Sequence, residues 1–263
     1  RLALRVSYDG TGFCGWQIQT RGFAGQDSLE SAIGAIAQHA IRVHVAGRTD
    51  TGVHALSQVV HFDTDSVRPL SAWVRGVNAY LPDTVRVQWA CEVNDAFHAR
   101  FSAFSRSYQY LLYNAPVASA LMATKAGWFH LPLDIAAMSE AIGYLLGEHD
   151  FSAFRASECQ AKSAIKHMQK VEVRAIGQYF IFDFSANAFL QHQVRNMIGA
   201  LIYVGKGAYP PAYIKELLQK RDRTLSPPTF SPCGLYLTGV GYDAKWNLPI
   251  NQFANQDSMH VVI

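Results

Sequence analysis

The sequence of 263 residues contains little cysteine and no long hydrophobic run. Its four cysteines (Cys14, Cys91, Cys159 and Cys233) lie far apart and form no C-x-x-C pair. Isolated thiols in a chain of this length argue against a disulfide scaffold or a structural zinc site and favour a reducing cytoplasm. The longest apolar candidate, 197–204, is much shorter than the roughly 18 residues of a membrane span, so we expect a core helix there and no membrane segment.

Charge is also scarce, since only 16% of the residues are charged and the formal net charge is +3. With 49% hydrophobic and 12% aromatic residues, this composition excludes a disordered, collagen-like or coiled-coil chain. A small positive charge permits a nucleic acid partner without requiring one, because affinity depends on how the cations are clustered.

Apolar periodicity in the first half predicts the order strand, helix, strand, strand, helix, strand. The predicted strands are 2–8, 41–46, 56–62 and 85–92, and the predicted helices are 27–40 and 70–80. This order is the split β-α-β pattern of ferredoxin-like and RNA-binding sheet domains.

The second half also reads as α+β with antiparallel strands. The predicted strands are 105–113, 164–175, 179–186 and 235–242, and the predicted helices are 134–146, 190–204 and 211–220. We therefore predict an N-terminal α+β domain over 1–104, a C-terminal α+β domain over 105–247 and a peripheral tail over 248–263.

Two glycine motifs suggest nucleotide binding but lack the required context. Residues 10–15 match G-x-G-x-x-G after a strand, yet Gly22 and Gly25 follow and the helical pattern begins only near Asp27. A dinucleotide site needs the helix to start inside the motif. Residues 205–207 resemble a phosphate loop but lack its Ser or Thr and a preceding strand.

The ten histidines do not predict a metal site. None of their spacings gives a helix-face pair supported by carboxylates, so structural histidines are the better interpretation. His54, His61, His98 and His192 are the histidines whose spacings show this.

Residues 46–55 concentrate Arg, Asp and His in a turn between two glycines where a strand ends. In extended backbone Arg48 and Asp50 point to the same side, and the cation favours an ionised carboxylate. The plain alternative is an Asp in a turn bonded to its own backbone, which is the commoner case for such a composition.

The stretch 48–55, Arg-Thr-Asp-Thr-Gly-Val-His-Ala, resembles the signature of the tRNA pseudouridine synthase A family. Other stretches agree with that family in order and spacing, so that the resemblance runs from about residue 2 to residue 246. They are 8–11, 15–17, 97–103, 106–110, 150–156, 187–196 and 234–237. Two departures occur, at 25–28 before the first helix and at Gln191, where the family often has a second His.

The resemblance implies two ferredoxin-like, RRM-like α+β halves with mainly antiparallel sheets, forming the pseudouridine synthase fold with the active-site cleft between them. It implies isomerisation of uridine to pseudouridine in the anticodon stem-loop of tRNA, without a cofactor or metal. The N1–C1′ bond breaks, the uracil rotates and C5 bonds to C1′. It also implies a homodimer with tRNA lying across both subunits.

The matched positions carry roles that the resemblance implies. Asp50 is the essential carboxylate, acting either as nucleophile at C1′ or as base at C2′. Tyr108 stacks on the uracil and helps to remove the C5 proton, and Arg195 pairs with the Asp. Arg48 contacts the RNA and holds the target nucleotide out of its stack, and Leu235 lines a pocket that excludes water. Without the resemblance, Tyr108 and Leu235 read as strand core and Arg195 as a solvated helix residue.

Further substrate-binding candidates are Arg100 and His192, which lie in matched stretches. We expect RNA binding to be spread over basic groups that share one surface, so that a folded RNA is recognised by its shape and phosphates. These groups are Arg68, Arg75, Arg100, Arg106, Lys162, Lys166, Lys170, Lys220, Arg221 and Arg223.

Two other functions are compatible with parts of the sequence. A hydrolase that cleaves a glycosidic bond with Asp50 needs a second, matched carboxylate, and Asp9, Asp63 and Asp150 have no evident claim to that role. A non-catalytic RNA-binding module on the same sheet should carry the RNP aromatic consensus, which the sequence does not contain.

Overall fold

The computed structural model describes residues 1–17 and 25–249, which form two compact units. Of the described residues, one unit contains those up to Phe104 together with 237–249, and the other contains Ser105–Tyr236. The sequence assigned 237–247 to the second half, but the structure places these residues with the first. The reason is local packing, because the Tyr242 hydroxyl donates to the Ala99 carbonyl (2.6 Å) and its ring packs on Phe97. Of the predicted tail 248–263, all residues after 249 lie outside the described part.

The first unit is built on four antiparallel strands in the order β4-β1-β3-β2. With two helices connecting them, this is the ferredoxin-like arrangement that the order of predicted elements indicated. The elements are β1 (Leu2–Tyr8), α1 (Gly25–Ala37), β2 (His44–Val45), β3 (His54–Phe62), α2 (Val77–Tyr80, continuing a π-helical turn over Ala72–Gly76) and β4 (Val85–Glu92).

One strand of this unit is much shorter than predicted. The sequence indicated 41–46, but β2 contains only His44 and Val45. The backbone before β2 bonds to a side chain of α1 and not to a strand, since the Val43 N–H donates to Oε1 of Glu30 (3.0 Å). The apolar face of α1 is buried as its periodicity predicted, with Leu29 and Ile33 fully inside the core.

The second unit is built around an antiparallel path of four strands in the order β5-β9-β8-β7. The Leu111 N–H donates to the Gly234 carbonyl (2.8 Å), which brings the chain beside β5 where the last strand begins. The elements are β5 (Ala103–Asn114), β6 (Gly127–Phe129), α3 (Ile135–Gly143), β7 (Gly147–Asp150), β8 (Ile165–Ile176), β9 (Tyr179–Ala186), α4 (Gln193–Gly205) and α5 (Tyr213–Lys220). The last strand, β10 (Leu235–Tyr242), begins in this unit, and its residues from Leu237 belong to the first unit. The predicted α+β class with mainly antiparallel strands is confirmed.

The apolar run 197–204 lies in α4, and almost all of it is buried, as expected for a core helix. No helix within the described ranges has both the length and the apolar character needed to cross a membrane. The two strands that the sequence did not reveal, β6 and β7, have three and four residues, too few to show a periodic pattern.

Candidate active site

The Asp50 loop lies in the first unit and connects β2 to β3. The Val53 N–H donates to the Asp50 carbonyl (3.1 Å), so the chain turns tightly immediately after the carboxylate residue. Thr49 is buried between an exposed Arg48 and a half-buried Asp50. This alternation matches the expectation that the arginine and the carboxylate lie on the same side of the chain.

Buried polar side chains bond to the Asp50 loop (residues 46–53) and fix its position. The Tyr8 hydroxyl lies 2.7 Å from Oγ1 of Thr49, and Nε2 of Gln58 donates to the Gly47 carbonyl (2.7 Å). The Trp16 N–H donates to the Thr49 carbonyl (3.1 Å). Burial raises the pKa of Tyr8 to about 12, so its hydroxyl remains protonated. Sequence reasoning did not assign this supporting role to Tyr8 or Gln58, although Tyr8 begins one of the matched stretches.

The glycine motif of residues 10–15 lacks the helix of a nucleotide-binding site, and its Gly10 allows close packing. The Asp9 side chain accepts from the Thr11 N–H and caps a single 3-10 turn over Gly10–Gly12, so no α-helix starts in the motif. A Cβ on Gly10 would lie 2.0 Å from the Val53 carbonyl oxygen, which only glycine avoids. The Gly10 N–H donates to Nδ1 of His54 (3.0 Å), tying this turn to the end of the Asp50 loop. Gly22, used against the nucleotide interpretation, lies outside the described residues.

Arg100 belongs to a separate turn of the first unit, over 97–102, and its side chain is exposed. Nδ1 of His98 accepts from the Arg100 N–H (3.1 Å), and Nδ1 of His61 accepts from the Ala99 N–H (3.1 Å). Burial, followed by the nearby His98 and His44, lowers the pKa of His61 to about 3, so its ring is neutral and keeps this acceptor.

The histidine rings of this region form a cluster, in which His44 and His61 stack with centroids 4.9 Å apart and His98 meets His61 edge to face with centroids 4.6 Å apart. Nδ1 of His61 and Nδ1 of His98 each accept from backbone N–H groups. Within residues 1–17 and 25–249, no group of three or more His, Cys, Asp or Glu side chains is arranged to hold a metal ion.

Tyr108 lies on β5 in the second unit and is half-buried. Its ring meets that of Phe189 edge to face, with centroids 5.1 Å apart. Two residues further along the strand, Tyr110 is fully buried and its hydroxyl donates to the Ser231 carbonyl (2.8 Å). The strand-core interpretation therefore describes Tyr110, whereas Tyr108 keeps part of its ring accessible.

Arg195 lies on α4 and is held by reciprocal bonds to one residue. Its Nε–H donates to the Phe230 carbonyl (2.9 Å), and the Phe230 N–H donates to the Arg195 carbonyl (3.2 Å). The Phe230 ring lies near that of Tyr110, with centroids 6.0 Å apart. The arginine is half-buried, so it differs from the solvated helix residue that the sequence alone indicated.

The segment 226–230 is fixed in turn by Arg223 and Asn196. The guanidinium of Arg223 donates to the carbonyls of Ser226 (2.8 Å) and Pro227 (3.0 Å) and to Oδ1 of Asn196 (3.1 Å). Asn196 is fully buried, and its amide donates to the Phe154 carbonyl (2.8 Å). The Arg223 side chain is therefore bonded to this internal segment, and its expected place on an RNA-binding surface stays a prediction.

Leu235 and His192 occupy constrained positions in the second unit. Leu235 is 5% exposed at the start of β10, and a Cβ on the preceding Gly234 would lie 2.3 Å from the Leu111 carbonyl oxygen, so only glycine permits this approach to β5. His192 is half-buried and has the left-handed backbone (φ 61°) immediately before α4. Sequence reasoning could not foresee that geometry, since a positive φ is uncommon in any residue other than glycine.

The other basic candidates differ in exposure. Arg106 and Lys166 are half-buried, and the Lys166 ammonium donates to the Ser163 carbonyl (2.7 Å). Arg221 lies 3.7 Å from a carboxylate oxygen of Asp150. The exposed members are Arg68, Arg75, Arg100, Lys162, Lys170, Lys220 and Arg221.

The predicted site residues are thus divided between the units. The first unit contains Arg48, Asp50 and Arg100, with the first two on one loop. The second unit contains Tyr108, His192, Arg195 and Leu235, where Phe230 connects the arginine to the strand of the tyrosine.

Comparison with known proteins assigns the chain to a family. A family model described as tRNA pseudouridine synthase matches residues 5–102 and 141–243. The tRNA pseudouridine synthase A of Methylobacillus flagellatus is 68% identical over 249 residues, which are 95% of this chain and 95% of that protein. The protein of the same name from Nitrosomonas eutropha is 57% identical over 249 residues, covering 95% of this chain and 90% of that protein.

Among solved structures, a crystal structure of a Cbf5–Nop10–Gar1 complex aligns with a TM-score of 0.38 and 12% identity, covering 90% of this chain and 49% of that chain. The sequence matches are much stronger and extend over almost the whole length. The chain therefore belongs to the tRNA pseudouridine synthase A family.

Proposed function

We propose that this tRNA pseudouridine synthase isomerises uridine in the anticodon stem-loop, with Asp50 as its catalytic carboxylate. The observation that carries the proposal is the Asp50 loop, in which a half-buried carboxylate follows a buried Thr49 held by the Tyr8 hydroxyl. A carboxylate held in this way is pre-organised for attack, since its backbone does not need to reorder during the reaction.

The reaction is balanced without any added group. The N1–C1′ bond breaks, the detached uracil rotates, C5 bonds to C1′, C5 loses its proton and N1 gains one. Asp50 acts either as the nucleophile at C1′, by the same chemical logic as a retaining glycosidase, or as a base at C2′. Both roles need the carboxylate in its ionised form.

Residues of the second unit supply the surroundings of the uracil in this proposal. Tyr108 stacks on the base with the accessible part of its ring and assists loss of the C5 proton, and Leu235 provides an apolar wall. Arg195 is the basic partner that the family pattern gives to the carboxylate. A dry pocket is chemically necessary, because water that reached C1′ while the uracil was detached would leave an abasic site.

RNA contacts are proposed for Arg48, Arg100 and His192. Arg48 is exposed on the Asp50 loop, where it can hold the target nucleotide out of its stack. Arg100 is exposed on its own turn and suits a phosphate, since a guanidinium matches phosphate oxygens in charge and geometry.

We further propose that the protein works as a homodimer in the cytoplasm, with tRNA lying across both subunits. The resemblance to the family supports the homodimer. The four unbridged thiols support the cytoplasmic location, because they suit a reducing compartment.

The deciding experiment measures tritium release from a tRNA transcript labelled at uridine C5. Asp50→Asn should release no tritium while binding tRNA within a few fold of wild type, because the carboxylate serves chemistry rather than affinity. The matched control is Asp65→Asn, an exposed carboxylate of the same unit, which should react normally. Turnover by Asp50→Asn would remove Asp50 from the mechanism, and free uracil in the wild-type reaction would indicate a hydrolase.

A further inference from the structure

The turn over residues 97–102 displays an aromatic ring to solvent. Phe101 is 76% exposed, whereas Phe97 at the start of the same turn is fully buried. One side of the Phe101 ring is near the His98 ring, with centroids 4.3 Å apart and planes inclined by 37°. Most of the phenyl surface therefore faces water, which is unfavourable for an apolar group of this size.

The turn that carries this ring is strongly hydrogen-bonded. Nδ1 of His98 accepts from the N–H groups of both Arg100 (3.1 Å) and Phe101 (3.4 Å). The His98 N–H donates to Oγ of Ser102 (3.0 Å), and the Ser102 N–H donates back to the His98 carbonyl (2.9 Å). The exposed ring is consequently presented by fixed backbone, so little conformational entropy is lost when a partner covers it.

A cation accompanies the ring. Cζ of Arg100 lies 5.7 Å from the Phe101 ring centroid, and the guanidinium is exposed. An aromatic face beside an arginine fits an unpaired nucleotide, in which an apolar base is linked to an anionic phosphate. A paired base cannot offer its face to such a ring, because both faces are covered by its neighbours in the helix.

We propose that Phe101 is a stacking platform for an unpaired base of the tRNA, with Arg100 on the adjacent phosphate. This proposal rests on the proposed function, since it assigns a further contact to the same substrate. Taking the target uridine out of its stack leaves neighbouring bases with uncovered faces. A fixed aromatic ring outside the Asp50 loop can stack on such a base.

The first test compares the tRNA affinity of wild type, two Phe101 variants and a control variant. Phe101→Ala should weaken binding about tenfold, as expected for loss of one base–aromatic stack, and Phe101→Trp should restore or exceed wild-type affinity. Leu121→Ala is the matched control, because Leu121 is 91% exposed and belongs to the other unit. Thermal unfolding should be unchanged for all of them, since the replaced side chains contribute little to the core.

A second readout identifies the contact itself. Transcripts carrying 2-aminopurine at single unpaired positions should include one whose fluorescence is quenched by wild type and by Phe101→Trp but not by Phe101→Ala. At saturating tRNA, Phe101→Ala should keep its turnover rate and raise KM. This result is separate from the Asp50 assay, in which Asp50→Asn loses turnover and keeps affinity.

Wild-type affinity and quenching in Phe101→Ala would overturn the proposal. So would a shift of Phe101→Ala to a smaller species in sedimentation with unchanged affinity per subunit, since a second copy of the chain would then cover the ring. Arg100→Gln should reduce the slope of log affinity against log salt by about one, as for loss of one phosphate contact, and an unchanged slope would contradict the role given to Arg100.

Discussion

The hydroxyl of Tyr8 lies 2.7 Å from Oγ1 of Thr49, the residue directly before Asp50 in the chain. Tyr8 ends β1, which pairs with both β3 and β4 and is therefore a central strand of the first sheet. The position of the Asp50 loop is consequently set by the core of the sheet, through a hydroxyl pair that is fully buried. Nε2 of Gln58 is 3.4 Å from the same Tyr8 oxygen and extends the network to the other end of the loop.

Replacing Tyr8 by Phe should lower both stability and turnover. The change leaves the buried Thr49 hydroxyl without its tyrosine partner, which costs about 1 kcal/mol in the free energy of unfolding. Because the loop loses its support below Asp50, the turnover rate should fall several-fold while tRNA affinity is retained. Urea denaturation and single-turnover tritium release measure the two effects.

The Tyr8 experiment has a matched control in Tyr113→Phe, since the Tyr113 hydroxyl donates to Oε1 of Gln178 in the second unit (3.0 Å). That variant should turn over normally. Thr49→Val should resemble Tyr8→Phe, and the double variant should lose less than the sum of the two, because the residues share one interaction. Reduced stability with unchanged turnover would show that the pair stabilises the fold without positioning Asp50.

Tyr108 and Tyr110 lie on the same strand. Replacing each by Phe should separate an effect on turnover from an effect on stability. Tyr108→Phe keeps the ring for stacking but removes the hydroxyl, so it should bind tRNA normally and lose most of its turnover. Tyr110→Phe removes a buried bond to the Ser231 carbonyl and should instead lower the free energy of unfolding by about 1 kcal/mol. A near-normal rate in Tyr108→Phe would reduce Tyr108 to a stacking surface.

Strand pattern and motif order predicted most of this architecture because their signals are local. The bounds of β1, β4 and β10 follow directly from alternating apolar residues ended by turns. The run 197–204 indicated a core helix from its composition alone. The resemblance added the Asp50 loop and the matched residues of the second half, which no periodicity could have supplied.

The supporting contacts were not predictable, since they depend on which residues meet across long stretches of sequence. Nothing near Tyr8 indicates that its hydroxyl reaches Thr49, 41 positions away. Arg223 looked like a surface cation because Lys220 and Arg221 precede it, yet its guanidinium bonds to four groups of the segment 226–229 and α4. A basic residue shows its role only through the acceptors that the fold places around it.

Arg223 therefore provides a test of positioning against RNA binding. Arg223→Gln removes most of the donors that fix 226–229, and the Phe230 carbonyl that orients Arg195 lies at the end of that segment. Turnover should fall several-fold, KM for tRNA should change little, and the salt dependence of binding should stay the same. Arg223→Lys should rescue only part of the rate, because one ammonium cannot replace a guanidinium fork.

The control for this experiment is Arg221→Gln, whose side chain is exposed on the same stretch. It should leave the turnover rate intact. If Arg223→Gln instead weakened tRNA binding and lowered the salt slope at normal turnover, Arg223 would be an RNA contact after all and the role given to the segment 226–230 would be wrong.

His61 should make the protein less stable in mild acid. Burial, with His98, His44 and Arg1, lowers its folded-state pKa from 6.5 to about 3, against the opposite effect of Asp63. Between these two values the unfolded chain binds a proton that the folded chain does not, so stability rises with pH across this window and is lost as pH falls through it. Urea midpoints measured from pH 7 to pH 4 should decline accordingly. In His61→Asn, whose amide oxygen can still accept the Ala99 N–H without titrating, the decline should be smaller. Equal pH slopes for wild type and His61→Asn would show that other groups control the acid response, because removing this buried, unprotonated ring would then have changed nothing.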